Sequence, residues 1–230
     1  MKTLGMLGGV GPQTTAETYL SVIEAVRKAG RDSYPPIVVY NLPFPFRVER
    51  EAIVEGRNAE QMIPFLTEGA RVLERSGADF GILPCNTLHA YIEDVRKASS
   101  VPFLSILEET ARALSAFEPK TIGFLATRST LASGIYERAL AGTGRAFVYP
   151  AEDEQMALTE MIVRLLAGSP GYEERAVVET VAESLAARGA DVILLACTDI
   201  QLAARHADVP VPIVDTMEVL ADAAVRELLA

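Results

Sequence analysis

The chain has two cysteines, Cys85 and Cys197, and they occupy equivalent places in two copies of one segment. Gly77-Ala78-Asp79-Phe80-Gly81-Ile82-Leu83-Pro84-Cys85-Asn86-Thr87 recurs as Gly189-Ala190-Asp191-Val192-Ile193-Leu194-Leu195-Ala196-Cys197-Thr198-Asp199. A lone buried cysteine is usually a small apolar filler. These two are crowded by polar neighbours, Asn86 and Thr87 after the first, Thr198 and Asp199 after the second. Each is expected where a strand passes into a helix, whose N-terminal amides favour thiolate. Twin thiols at equivalent strand ends suit proton exchange at a single carbon: one, as thiolate, removes a proton from one face while the other, as thiol, delivers a proton to the opposite face. Near-attack contacts of about 3 to 3.5 Å on each side set the sulfurs roughly 6 to 8 Å apart. A disulfide needs Cβ atoms within about 4.5 Å, so such a pair is not a cross-link.

The elements that must position these thiols are duplicated too. Lys2-Thr3-Leu4-Gly5-Met6-Leu7-Gly8 recurs 118 positions later as Lys120-Thr121-Ile122-Gly123-Phe124-Leu125-Ala126, the cysteine segments are offset by 112, and Val101-Pro102-Phe103-Leu104 recurs 110 later as Val211-Pro212-Ile213-Val214. Three matches in one order with slowly drifting offsets indicate two half-length units of one fold.

Short apolar runs alternate with amphipathic stretches along the chain. Strands are predicted at Thr3 to Leu7, Ile37 to Tyr40, Phe80 to Leu83, Phe103 to Ile106, Thr121 to Ala126, Val192 to Ala196 and Ile213 to Val214. Continuously apolar runs such as Val192-Ile193-Leu194-Leu195 fit a parallel sheet covered on both faces. Helices are predicted at Thr15 to Arg27, Ala59 to Arg75, Leu88 to Lys97, Leu107 to Ala116, Ser129 to Leu140, Glu154 to Leu166, Tyr172 to Ala187 and Thr216 to Leu228. The βαβα pattern reads as two pseudo-symmetric doubly wound α/β domains with parallel sheets. Ligands of open α/β sheets bind beyond the carboxyl ends of the strands, where both cysteines, Gly8-Gly9-Val10-Gly11-Pro12 and Thr127-Arg128-Ser129-Thr130 fall. The active site is therefore expected in the cleft between the domains.

The 230 residues suffice for two ordinary cores, and half of them are apolar. A formal net charge of −10 argues against nucleic acid or anionic membrane as partner. A few arginines in a cleft could still receive a small anion. The first residues carry too short an apolar run for a signal peptide, no segment reaches the roughly 18 apolar residues of a membrane span, and two unpaired cysteines fit a reducing cytoplasm. Two histidines and two separated cysteines make a structural zinc site improbable. Gly8-Gly9-Val10-Gly11 fails the G-x-G-x-x-G spacing of nucleotide sites. Its glycines instead let backbone amides, including those of Gly9 and Val10, approach a carboxylate at a helix start, with Thr127 and Thr198 as further donors. His89, one turn beyond Cys85, is read as a helix-surface residue first and a tuner of the thiol second, and His206 is assigned nothing.

With these residues in place, the chain resembles the aspartate/glutamate racemase family, its aspartate racemase branch in particular. Leu7-Gly8-Gly9-Val10-Gly11-Pro12-Gln13-Thr14-Thr15-Ala16 with Tyr19, Pro84-Cys85-Asn86-Thr87-Leu88-His89, Ala196-Cys197-Thr198-Asp199-Ile200, and Phe124-Leu125-Ala126-Thr127 with Gly134 and Tyr136 carry the likeness from Leu4 to about Glu218. Asp199 stands where glutamate is common. The resemblance implies racemisation of aspartate and/or glutamate by two catalytic thiols, without pyridoxal phosphate or metal. In it Cys197 takes the proton from the L-enantiomer and Cys85 from the D-enantiomer. It implies a homodimer, and a crossed-over architecture of residues 1–103 plus 211–230 and residues 104–210, the C-terminal strand and helix rejoining the first domain. It carries substrate binding over to Gly9, Val10, Arg47, Asn86, Thr87, Thr127, Arg164 and Thr198. Arg47 lies in the expected loop Leu42-Pro43-Phe44-Pro45-Phe46-Arg47, and Arg164 replaces the branch's usual lysine. The two arginines are 117 apart, within the drift of the repeat, so each is expected to hold one carboxylate of a dicarboxylic substrate.

Other readings remain open at this stage. A maleate isomerase or arylmalonate decarboxylase divides labour differently between the two positions, and a hydantoin racemase has a neutral substrate that needs no second guanidinium. A non-catalytic amino-acid sensor would not need both thiols. A thiol redox protein would join them in a disulfide.

Overall fold

A computed structural model describes residues 1–166 and 172–230. Strands β1 (Leu4–Gly8), β2 (Ile37–Asn41) and β3 (Phe80–Ile82) form one parallel sheet in the order β2-β1-β3. Strands β4 (Thr121–Ala126), β5 (Ala146–Val148), β6 (Val192–Ala196) and β7 (Ile213–Asp215) form the other, in the order β5-β4-β6-β7. A single parallel bridge from Gly81 to Phe103 stands where the first sheet would have its fourth strand. The two sheets therefore repeat one strand order, as the sequence repeat requires.

The helices are α1 (Pro12–Lys28), α2 (Phe46–Glu49), α3 (Ile63–Arg75), α4 (Ile92–Ala98), α5 (Ile106–Phe117), α6 (Arg128–Ser133), α7 (Ile135–Ala139), α8 (Glu152–Leu166), α9 (Tyr172–Ala187), α10 (Gln201–Ala204) and α11 (Thr216–Leu229). None is long and apolar enough to cross a membrane. The predicted helix at Ser129 to Leu140 is two helices, because Gly134 sits between them at φ 61°, a left-handed conformation that glycine adopts without steric cost. The predicted strand at Phe103 to Ile106 is cut short for a different reason. Ser105 caps α5, its hydroxyl accepting from the amides of Leu107 and Glu108, so Ile106 begins a helix.

The closing helices are exchanged between the two units. Helix α11 follows β7 of the second sheet, yet its Leu220, Ala221, Ala224 and Leu228 pack with Leu4 and Met6 of β1, Val22 and Val26 of α1 and Phe80 of β3. Helix α5 follows the Phe103 bridge of the first sheet, yet Leu114 packs with Ile122, Phe124, Tyr136 and Val192 around the second. The two helices also touch each other, and Arg226 pairs with the buried Glu109 across them at 2.5 Å. Strand β7, which precedes the returning helix, pairs with β6, Leu194 opposite Val214, and stays on the second sheet. Parallel pairing satisfies the ladder groups of the short strand while the helix, on the far side of the Asp215 cap, is free to cross.

Candidate active site

Both cysteines lie just past the carboxyl ends of central strands, and both are buried and unpaired. Their segments meet. The Thr198 hydroxyl, next to Cys197, is 3.5 Å from the carbonyl oxygen of Pro84, next to Cys85. The two thiols are close enough that negative charge on Cys85 raises the pKa of Cys197.

Two latches related by the repeat hold the segments across the cleft. In one, Thr87 of the Cys85 segment meets Thr127 at 3.1 Å and Thr130 at 3.0 Å at the start of α6. In the other, Thr14 of α1 donates to Asp199 Oδ1 of the Cys197 segment at 2.6 Å. Thr87 and Asp199 are repeat equivalents, so one latch is neutral and the other charged. Gly11, at φ 73°, caps α1 beside Asp199, and a Cβ there would lie 2.6 Å from Asp199 Oδ1. Only glycine allows that approach.

The environment of the thiols differs from the sequence expectation in one respect. Burial pushes the Cys85 thiol up to about 12, opposed in part by backbone amides at Leu88 and Thr87 and reinforced by Asp199 and Glu49. Burial likewise drives Cys197 well above its ordinary range, with Asp199 adding to the rise. The amides that were expected to favour thiolate are present, but desolvation outweighs them. Both sulfurs are therefore protonated at neutral pH.

Asn86 is held by the framework at both ends of its amide. The Tyr136 hydroxyl donates to its Oδ1, and its Nδ2 donates to Thr216 Oγ1 at 2.9 Å. Thr216 in turn donates to the Leu195 carbonyl at 2.7 Å, two residues before Cys197. This buried chain ties the residue after Cys85 to β6, the strand that leads into Cys197. His89 is buried, not on a helix surface. The Ile106 amide donates to its Nε2 at 3.0 Å, so Nδ1 carries the proton and donates to the Cys85 carbonyl at 2.7 Å. His206 is exposed.

Burial lowers His89 to about 4. Its unfolded value lies near 6.5, so between these two the unfolded chain binds the extra proton. His89 therefore contributes stability above about pH 6.5 that is lost as pH falls toward 4, on the order of 3 kcal/mol at the limit. The thermal midpoint of the wild type is expected to fall more steeply over that window than that of His89→Gln, whose amide can serve both hydrogen bonds. Parallel slopes in a pH-resolved melting series would remove His89 as the cause.

The other expected site residues divide into two groups. Gly9, Val10, Thr87, Thr127 and Thr198 are buried around the cysteine ends, though the Gly9 amide is already donated to Thr15 Oγ1 at 3.0 Å and Gly11's faces the Glu49 carboxylate. The arginines are engaged elsewhere. Arg47 is not in a loop but in the first turn of α2, and pairs with Glu51 at 2.7 Å. Arg164, on α8, pairs with Glu174 at 2.7 Å. Both glutamates are buried, Arg47 is exposed and Arg164 is half-buried. Sequence reasoning missed Glu49, Glu51 and Thr216, and treated Asp199 only as a motif position. A buried carboxylate is identified by what surrounds it, and Thr14 is 185 residues from Asp199. Among the described residues no three histidine, cysteine or acidic side chains are grouped to hold a metal ion.

The family model for Asp/Glu/hydantoin racemase matches residues 7–224. The chain belongs to that family. Among similar members, the broad-specificity amino-acid racemase RacX of Bacillus subtilis (strain 168) is 32% identical over 231 residues, covering 99% of this chain and 98% of its own. An aspartate racemase homologue from Pyrococcus horikoshii superposes with a TM-score of 0.81 at 25% identity over the whole of both chains. The aspartate racemase of Picrophilus torridus, at 24% identity and a TM-score of 0.78, covers 99% of this chain and 94% of its own and shares the fold. The two-sheet α/β architecture is therefore that of the Asp/Glu racemases.

Asp199 gives the family's cleft in this chain a testable electrostatic signature. Its charge raises both thiols. Asp199→Asn keeps an acceptor for Thr14 and removes the charge, so both thiols should ionise at lower pH. The rising limb of the pH–rate profile is expected to move to lower pH, and an unchanged or upward-moving limb would count against the assignment.

Proposed function

We propose that this protein is an amino-acid racemase that works by two-thiol proton exchange, with Cys85 and Cys197 as the catalytic residues. The observation that carries the reading is the meeting of the two cysteine segments, Thr198 against Pro84, with both thiols buried beside Asp199. In the L to D direction, Cys197 as thiolate takes the α-proton and becomes a thiol. The carbanion takes a proton from the Cys85 thiol on its other face, and Cys85 is left as thiolate. The reverse reaction exchanges the two roles. No step draws electrons, a metal ion or pyridoxal phosphate.

One of the two buried neutral thiols must first lose its proton to solvent, while the other stays protonated as the acid. The substrate supplies the missing positive charge, because its α-ammonium group entering beside Asp199 offsets the charge that holds both thiols protonated. Aspartate and glutamate are the first substrates of this reading, with their carboxylates going to the amides and hydroxyls around Gly9, Val10, Thr87, Thr127 and Thr198, and to Arg47 and Arg164 once these leave their glutamates. Asn86 acts by holding the Cys85 turn. Two free cysteines fit a reducing cytoplasm, and a homodimer is the proposed assembly.

The test is α-deuteration in deuterated water across a panel of L- and D-amino acids, read by NMR. Exchange with inversion on at least one amino acid is expected. Binding without exchange would replace the racemase by a sensor, and a disulfide formed under mild oxidant, found by mass spectrometry, would replace it by a redox protein.

A further inference from the structure

Residues 46–58 follow β2 of the first sheet, yet they are fastened to a helix of the second unit. The segment begins as α2 and widens into the π-helical turn Arg50–Val54, a local geometry frequent at functional sites. A helix leaves its last four carbonyls without an intrahelical donor. Those of Ala52 and Ile53 belong to buried residues, and their shared donor is the Ser129 hydroxyl, at 2.9 Å from the first and 3.1 Å from the second. Ser129 is in α6, which follows β4 of the second sheet.

The segment is gripped from both units at positions that the repeat makes equivalent. Ser129 stands 118 places after Gly11, the offset of the first repeated segment. Gly11's amide faces Glu49 at the end of α2, and the Ser129 hydroxyl takes the carbonyls just beyond it. Gly56, at φ 66°, brings the chain past Ser129 so closely that a Cβ there would lie 3.2 Å from Ser129 Oγ. Between the two grips is Glu51, which accepts from Arg47 at 2.7 Å and from Asn58 Nδ2 at 3.1 Å. The placement of Arg47 is therefore set by where this turn is held.

The start of α6 that holds this segment also holds the Cys85 segment. Thr127 and Thr130, on either side of Ser129 in the chain, both meet Thr87 Oγ1. One short helix thus fastens the arginine-bearing segment and a thiol-bearing segment of the first unit to the same turn of the second. The threonines serve the thiol side and Ser129 the arginine side.

We propose that Ser129 is a positioning residue for substrate binding: from the second unit it sets where Arg47 stands relative to Cys85, and so governs capture of the substrate carboxylate while leaving the proton exchange itself alone. The inference rests on the racemase reading, with Arg47 as a carboxylate-binding residue, and deepens it. Without the Ser129 hydroxyl the segment spends less time in its binding-competent place, and apparent affinity falls by that fraction. The experiment measures kcat and KM for the wild type, Ser129→Ala, Arg47→Ala and the double variant on the amino acid that the wild type exchanges fastest, and amide hydrogen exchange by mass spectrometry on the wild type and Ser129→Ala. Ser129→Ala is expected to raise KM about three- to tenfold, the range to which the net contribution of one hydrogen bond converts. Its kcat should change less than about twofold. In the Arg47→Ala background the same substitution should change kcat/KM less than about twofold, because the residue it acts through is gone. Amides of residues 46–58 should exchange faster in Ser129→Ala while those of β4 stay as in the wild type. An unchanged KM, a loss confined to kcat, or equal losses with and without Arg47 overturns the proposal and leaves the racemase intact. Unchanged amide exchange over residues 46–58 overturns the grip of Ser129 on the segment. A wild type that exchanges no amino acid fails the racemase reading itself and takes the proposal with it.

Discussion

Cys85→Ser and Cys197→Ser are each expected to lower racemisation by about 10³-fold or more in both directions. A serine hydroxyl is too weak an acid and base to replace a thiol, and general acid–base catalysis by one positioned group contributes about 10²- to 10⁴-fold. Each reaction needs one sulfur on each face, so neither variant can invert. Loss of one thiol should not abolish all chemistry. With Cys197 intact, Cys85→Ser should still exchange the α-proton of the L-enantiomer slowly with retention, and Cys197→Ser should do the same for the D-enantiomer. Chiral chromatography with mass detection of deuterium separates the two outcomes. Swapped enantiomers would reverse the assignment of faces, and inversion at wild-type rate in either variant would end the two-thiol mechanism.

Asn86→Ala is expected to damage both stability and rate. Its amide is the acceptor of the buried Tyr136 hydroxyl and a donor to the buried Thr216. Truncation leaves the Tyr136 hydroxyl without that partner, and an unsatisfied buried polar group costs about 1 to 3 kcal/mol. It also frees the turn after Cys85, and small misplacements of a reacting group cost on the order of 10²-fold in rate. The expected result is a lower midpoint in denaturant at unchanged slope, with a comparable loss of kcat in both directions. Tyr136→Phe removes the hydroxyl as well as its need and should be milder in stability. If Asn86→Ala melts as the wild type does, the chain from Tyr136 to Leu195 is not what holds the turn.

The parts legible in the sequence are those whose signal is local or repeated. Strands β4 and β6 are continuous apolar runs, and the repeat of the cysteine segments announced the strand order that the two sheets share. The stretch Phe46–Val54 was not legible. Pro43 and Pro45 read as loop, yet Pro45 has the extended conformation of a helix cap, and the helix widens into a π-helical turn at Arg50–Val54 with no amphipathic stripe to announce it. The missing thiolates have a related cause. The amides that favour charge follow from the strand-to-helix turn, but the burial that opposes it comes from the whole fold. The arginine pair shows the same division. Its spacing of 117 is visible in the chain, whereas the engagement of Arg164 by Glu174 arises only when α8 and α9 are packed side by side.

The exchange of α5 and α11 makes the cleft a joint property of both halves. A chain divided between Glu118 and Thr121 would give two pieces, each ending in a helix shaped for the other piece's sheet and each lacking the helix that covers its own. Neither could close alone. Any separation of the two halves would therefore have to carry both interlocked tails with it.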